Sequence, residues 1–159
     1  PRCDGRRRGG QGAGPGPEIL LMRRSSGRIL AGLWQGVSGS LETGERIAAG
    51  ALRELVEETG YAADTIEAFY DLDQVNQFHE PSIDAIVTAA VFAVRVRADA
   101  EPTLSHEHDL LRWLAPAEAR HRIVWPAYRE SLSRIERALL VPVRQRWLRL
   151  EPGGSRAEG

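Results

Sequence analysis

One stretch, Gly39 to Tyr61, constrains this chain more than any other: GSLETGERIAAGALRELVEETGY. Thr43 is suited to cap a helix at its start, and Gly60 stands where a left-handed residue ends one. Between them Ala48, Ala49, Leu52 and Val56 fall on one stripe. The pattern predicts an amphipathic helix of about four turns, held against a sheet by that stripe. At about 100° per residue, Glu54, Glu57 and Glu58 leave one face, largely opposite the stripe. Like charges so placed cost a few tenths of a kcal/mol per pair. Either the face is solvated and partly neutralised by Arg46 and Arg53, or it points into a cleft and serves something that needs several carboxylates.

The rest of the chain supplies a sheet for that helix. Glu18–Met22 (EILLM) and Leu33–Val37 read as short strands, with a further strand around Ala68–Leu72. Ile83–Val96 (IDAIVTAAVFAVRV) is the longest apolar segment, and its Ile, Val and Phe content predicts a central strand. Asp109–Leu114 is a last strand, followed by a short turn over Pro116–Arg120. A second helix is predicted from Pro126 to Leu140, with Leu132, Ile135 and Leu139 at helical spacing. Interleaved strands and two long helices predict an α/β domain with helices on both faces of a mixed sheet.

At 159 residues the chain fits one domain. Residues 1–17 hold six glycines and three prolines without apolar periodicity and read as a mobile arm; 151–159 read as a flexible tail, leaving 18–150 as the domain. A formal net charge of -1 gives no global attraction to nucleic acid or an acidic membrane, so anion binding must be local. A lone Cys3 forms no internal disulfide, no apolar run is long enough to span a membrane, and no apolar segment follows Arg6–Arg8 as a secretory signal requires. A cytoplasmic protein is expected. All 21 basic residues are arginine, which removes chemistry that needs a lysine Schiff base or a P-loop lysine.

The surroundings of the three glutamates decide between the two readings of that face. Gly39, Glu45, Arg53–Glu54, Leu55, Glu57–Glu58 and Gly60 stand at the spacing GX5EX7REUXEEXGU, where U is apolar, with aromatic Tyr61 at the final U. The chain resembles the Nudix hydrolase family, which implies an α/β/α sandwich with a mixed central sheet. It also implies cleavage of a phosphoanhydride with Mg2+, or Mn2+ in its place. Glu54, Glu57 and Glu58 would bind metal and activate water, Arg53 would orient a carboxylate by a bidentate pair, Gly39 and Gly44 would let the loop turn, and a carbonyl near Ser38 would add a ligand. Glu45 is expected to stabilise the junction of loop and helix. The chemistry agrees with that set, because a polyanion must be neutralised before water can attack it, and Mg2+ takes hard oxygen ligands.

Segments outside the box are similar to the branch acting on nucleoside triphosphates and dihydroneopterin triphosphate: LLMRRSS, WQGVSG, EHDLLRWL and WPAYRE. A nucleotide or pterin phosphate is then the implied partner, with ADP-ribose or a non-catalytic nucleotide-binding module as alternatives, and a homodimer is a common assembly in the family. Trp34 is either a planar wall beside a ring or a core aromatic, and Gln35 reads a ring edge or caps a backbone group. Of Arg23 and Arg24, alternation sends one toward phosphates and the other to solvent. Glu107 is the downstream acid expected to join the box as a metal ligand or base, against the alternative of an exposed loop acid, with Glu54, or His79 and Glu80, next in line as the base. Arg129 reads as a surface residue. His106 and His108 flank Glu107 without the second pair a zinc site needs. The family's apolar first strand has PRCDGRRRGG in its place here.

Overall fold

The computed structural model describes residues 16–151 and 155–156. Most of the expected arm and the end of the tail therefore lie outside the described residues. The order is β1 (Ile19–Arg24), β2 (Trp34–Gln35), α1 (Ile47–Thr59), β3 (Ile66–Glu80), β4 (Ala85–Val96), β5 (His108–Leu114), α2 (Pro116–Arg122), α3 (Pro126–Arg134), α4 (Pro142–Leu148) and β6 (Arg149–Leu150). The α/β class holds. The strands form two antiparallel sheets of three, β2-β1-β5 and β4-β3-β6, and every strand pair among the described residues is antiparallel.

In the first sheet Met22 stands opposite Gln35 and Arg23 opposite Trp34. On its other edge β1 pairs with β5 from Ile19–Leu114 to Arg24–His108, with a bulge between Arg23 and Arg24. Side chains alternate across a strand, so Leu21 and Trp34 share one face while Met22 and Gln35 share the other. The Leu21 face is covered by Leu114, Ala119, Ile123 and Leu132, the apolar positions of β5, α2 and α3, which together form the buried core cluster.

Several elements depart from their expected bounds. The strand around Ala68–Leu72 runs from Ile66 to Glu80 as half of a long hairpin with β4. Its outer part, with exposed Val75 and Phe78, is held by cross-strand pairing and not by burial, so no apolar pattern announced it. Pro116–Arg122 is a helix, not a turn, with proline at its first position. The second predicted helix stops being α-helical at Arg134 and continues as a π turn over Ile135–Leu139. The short α4 and β6 were not expected; β6 docks on β3 at Phe69 and Tyr70, and the Tyr70 hydroxyl donates to Gln145 Oε1 at 3.0 Å.

Helix α1 starts later and faces differently than predicted. Its N-cap is Arg46, not Thr43, because the chain turns first at Gly44 (φ 80°) with Glu45 N–H donating to the Glu42 carbonyl at 3.0 Å. Gly60 ends it in the left-handed conformation (φ 66°). The buried positions are Gly50, Leu55, Glu58 and Thr59, whereas Val56 of the expected stripe is 42% exposed. The helix is rotated so that Glu58 turns inward and Glu57 outward; the three acids do not share one outward face.

Candidate active site

The site begins where the loop at Gly39 passes directly against Glu54. A Cβ on Gly39 would collide with the carboxyl group of Glu54, whose Oε1 accepts the Ser40 backbone N–H at 3.1 Å. Gly39 therefore lets the loop lie against the acid and hold it in place. Gly50 plays a similar part inside the helix, where a Cβ would come within 2.6 Å of Leu41 and 2.8 Å of Glu45.

Arg53 ties this loop to the helix. Its Nε and one terminal nitrogen donate to the two oxygens of Glu45, each at 3.0 Å, and the latter nitrogen also donates to the Ser40 carbonyl at 2.9 Å. Its other terminal nitrogen donates to Glu54 and Glu57, both at 3.1 Å. The bidentate partner is thus Glu45, whose Oε2 also accepts the Glu42 N–H at 3.0 Å, and Glu54 and Glu57 each receive a single bond. A planar fork satisfies five acceptor atoms on four residues at once, which a lysine cannot do. The hydrogen bonds from Arg53 hold the Glu45 carboxyl below its ordinary range and raise the guanidinium in turn.

The segment before β5 crosses the end of α1. Thr103 N–H donates to the Thr59 carbonyl at 2.8 Å and Ser105 N–H to the Glu58 carbonyl at 3.3 Å, while Ser25 N–H takes the Glu107 carbonyl at 2.9 Å. These bonds deliver Glu107 and His108 to Glu58. Arg24 completes the group, 3.6 Å from Glu107 Oε2. The Glu58 side chain is only 7% exposed, and burial pushes its carboxyl up to about 7, opposed by the Ser38 backbone N–H and reinforced by the charges of Glu107 and Glu54. Among the site carboxylates, Glu57 is the open one, with 57% of its side chain exposed.

Other residues singled out in the sequence lie apart from these carboxylates or serve the fold. Arg23 is bound to Asp109 at 2.7 Å, so Arg24 is the one of the pair that faces the acids. Trp34 is partly buried and packs against the core cluster, with the Arg122 guanidinium 5.1 Å from its ring centre. Gln35 is buried and reaches Ser38 Oγ at 3.3 Å. Arg129 donates to the Ile123 carbonyl at 2.8 Å, a bond within the helical layer. His79 pairs with Asp84 at the tip of the β3–β4 hairpin. In the sequence His108 stands out only as one of two histidines flanking an acid; it heads β5, where it and Leu114 are the buried positions.

No three metal-ligating side chains among the described residues already converge on one point. The donor set nevertheless fits a hard divalent cation: Glu54, Glu57, Glu58 and Glu107 offer carboxylate oxygens only, and such a cation takes hard oxygen ligands. Among the described residues no helix is long and apolar enough to cross a membrane.

Comparison with known proteins agrees with this geometry. The family model of the NUDIX domain matches residues 7–135. A Nudix hydrolase from Listeria monocytogenes superposes with a TM-score of 0.67 at 26% identity, covering 77% of this chain and 84% of that one. The MutT protein of Methanosarcina mazei gives 0.61 at 30% identity, covering 76% and 83%. The dihydroneopterin triphosphate pyrophosphohydrolase of E. coli gives 0.62 at 21%, covering 73% and 83%, a likeness of fold alone. A Myxococcus xanthus protein named octanoyltransferase is 37% identical over 126 residues, or 78% of this chain; the match spans about a third (34%) of that relative, whose name describes the whole protein. Nudix hydrolases use divalent metal ions, and the carboxylate set of this chain suits them. The chain belongs to the Nudix family.

Proposed function

We propose that the protein is an Mg2+-dependent pyrophosphohydrolase that cleaves a nucleoside triphosphate or pterin triphosphate to a monophosphate and pyrophosphate. The observation that carries this reading is the gathering of Glu54, Glu57, Glu58 and Glu107 around two arginines, Arg53 and Arg24. Bound Mg2+ would neutralise phosphate oxygens and lower the pKa of a coordinated water. Glu54, Glu57, Glu58 and Glu107 would hold it.

The chain's own groups do the rest. Arg53 fixes Glu54 and Glu57 relative to the loop, so the acids enter the reaction already oriented. Glu58, buried beside Glu54 and Glu107, is the carboxylate that would accept a proton from attacking water. Arg24, beside Glu107, presents positive charge to the phosphate chain. Gln35 lies next to this loop, its amide nitrogen donating to Ser38 Oγ at 3.3 Å. The absence of a lysine, noted above, leaves phosphate recognition to arginine and backbone groups. The fold shared with a protein named for cleaving a pterin triphosphate is consistent with that substrate class, as are the EHDLLRWL and WPAYRE segments.

The test is a substrate panel read by product analysis: nucleoside triphosphates, dihydroneopterin triphosphate and ADP-ribose, each with Mg2+. Monophosphate and pyrophosphate from a triphosphate, at a kcat/KM at least about 10-fold above that for ADP-ribose, is the expected result. Preference for ADP-ribose would replace the triphosphate reading, and binding without turnover would make the chain a nucleotide-binding module.

A further inference from the structure

We propose that His108 is a positioning residue for Glu58, with its Nδ1–H the donor that fixes the carboxylate so that one oxygen, Oε2, faces the ring and the other faces the cleft. The inference rests on the reading of Glu58 as a site carboxylate. It begins from two buried groups that face each other unpaired. The His108 side chain is fully buried, 0% exposed, and among the described residues neither of its ring nitrogens has a hydrogen-bond partner. Glu58 Oε2 is likewise buried and, among the described residues, without a partner. The two face each other, Nδ1 to Oε2, at 3.8 Å.

That separation exceeds a hydrogen bond by about 0.9 Å, a gap closed by a small rotation of either side chain. Buried polar groups are almost always satisfied, and these two atoms are matched in kind once Nδ1 carries the proton. Well above an imidazole's ordinary pKa of about 6.5 a histidine ring is neutral. A neutral ring has one proton to place, and the carboxylate decides which nitrogen takes it. The backbone explains why the pair meets: Ser105 N–H bonds the Glu58 carbonyl, pinning the segment that leads into β5 across the end of α1. The ring orients an acid without itself reaching substrate, the role of the outer partners that fix ligands in metal sites.

Two measurements test this. In wild-type protein with 15N-labelled histidine, in EDTA at pH 8.5, long-range 1H–15N correlation spectra should show His108 as the Nδ1–H tautomer; an Nε2–H tautomer would overturn the proposal. Kinetics then compare His108→Asn, whose amide nitrogen falls near Nδ1, with His108→Leu. The asparagine variant should stay within about threefold of wild-type kcat and the leucine variant lose at least about tenfold, with KM within about twofold in both. Equal rates in the two variants, whether both normal or both impaired, would overturn positioning. If the leucine variant does not fold, the tautomer in the wild type decides. Glu58→Gln separates this proposal from the reading beneath it: undiminished hydrolysis there would sink the role of Glu58, while the tautomer still reports the His108 contact.

Discussion

Glu58 should make the metal-free protein less stable as the pH rises, and replacing it should stabilise the fold while removing activity. Burial raises its carboxyl from 4.5 to about 7, with the Ser38 N–H opposing and Glu107 and Glu54 adding to the shift. At about 1.4 kcal/mol per pH unit, ionising it inside the fold costs about 3 kcal/mol. With 7% of the side chain exposed, solvent screens little of this. Because the folded-state value lies above the unfolded one, the stabilisation belongs to the protonated form: it is complete below about pH 4.5 and is lost as pH rises through about 7. Glu58→Gln keeps a neutral group in the same volume. In EDTA at pH 8 the variant should be more stable by up to about 3 kcal/mol, or about 6 to 12 °C in Tm for a chain of this size, and the two proteins should converge near pH 5. His108 has the opposite dependence, its ring held below the ordinary 6.5 so that stability falls as the pH drops, but it is present in both proteins. Thermal unfolding of each protein from pH 5 to 8.5 measures the difference. Parallel curves over that range would refute a buried, raised Glu58.

Three further outcomes follow from the site. Gly39→Ala should displace Glu54, since the added Cβ meets its carboxyl group, and lower kcat by at least about tenfold with the far-UV circular dichroism unchanged; wild-type kcat would show that the loop simply shifts. Trp34→Ala should lower Tm and reduce hydrolysis of all substrates alike, as a core position does; a KM increase confined to purine or pterin substrates would instead restore the ring-wall role. Glu107→Gln at saturating Mg2+ should cost about tenfold or more in rate or shift the alkaline limb of the pH profile, and an unchanged profile would leave Glu107 as a surface acid bound to Arg24.

How much was legible in the sequence differs from residue to residue. The box could be read because its spacing encodes contacts at short range: Glu45, Arg53, Glu54 and Glu57 meet across a single loop and helix, and Gly39 and Gly60 occupy backbone positions that punish a side chain. The direction in which Glu58 faces could not be read, because its neighbours Ser105 and His108 lie about fifty residues away, and apolar periodicity placed all three acids on one outward face lining a cleft. The same long-range dependence hid His108, whose meaning lies in the Ser105 and Thr103 bonds that carry β5 to the helix. Arg53 was expected to grip a catalytic carboxylate with its full fork, but the fork closes on Glu45, eight residues upstream. The outer half of the β3–β4 hairpin and the α4–β6 segment escaped detection because pairing, not burial, holds the first, and the second is short enough that proline at its start was its one clear mark.

The central claim is that carboxylates gathered by the box hold the metal that drives hydrolysis of a triphosphate. The direct measurement is pyrophosphate release with Mg2+ titrated from zero in the presence of EDTA, for the wild type and for Glu57→Gln, whose exposed side chain makes the substitution harmless to folding. The account predicts no wild-type release until Mg2+ exceeds the chelator, full recovery beyond it, and a kcat at least about 100-fold lower in Glu57→Gln with an unchanged Tm. Hydrolysis that continues in EDTA, or a Glu57→Gln enzyme that works at the wild-type rate, would contradict it.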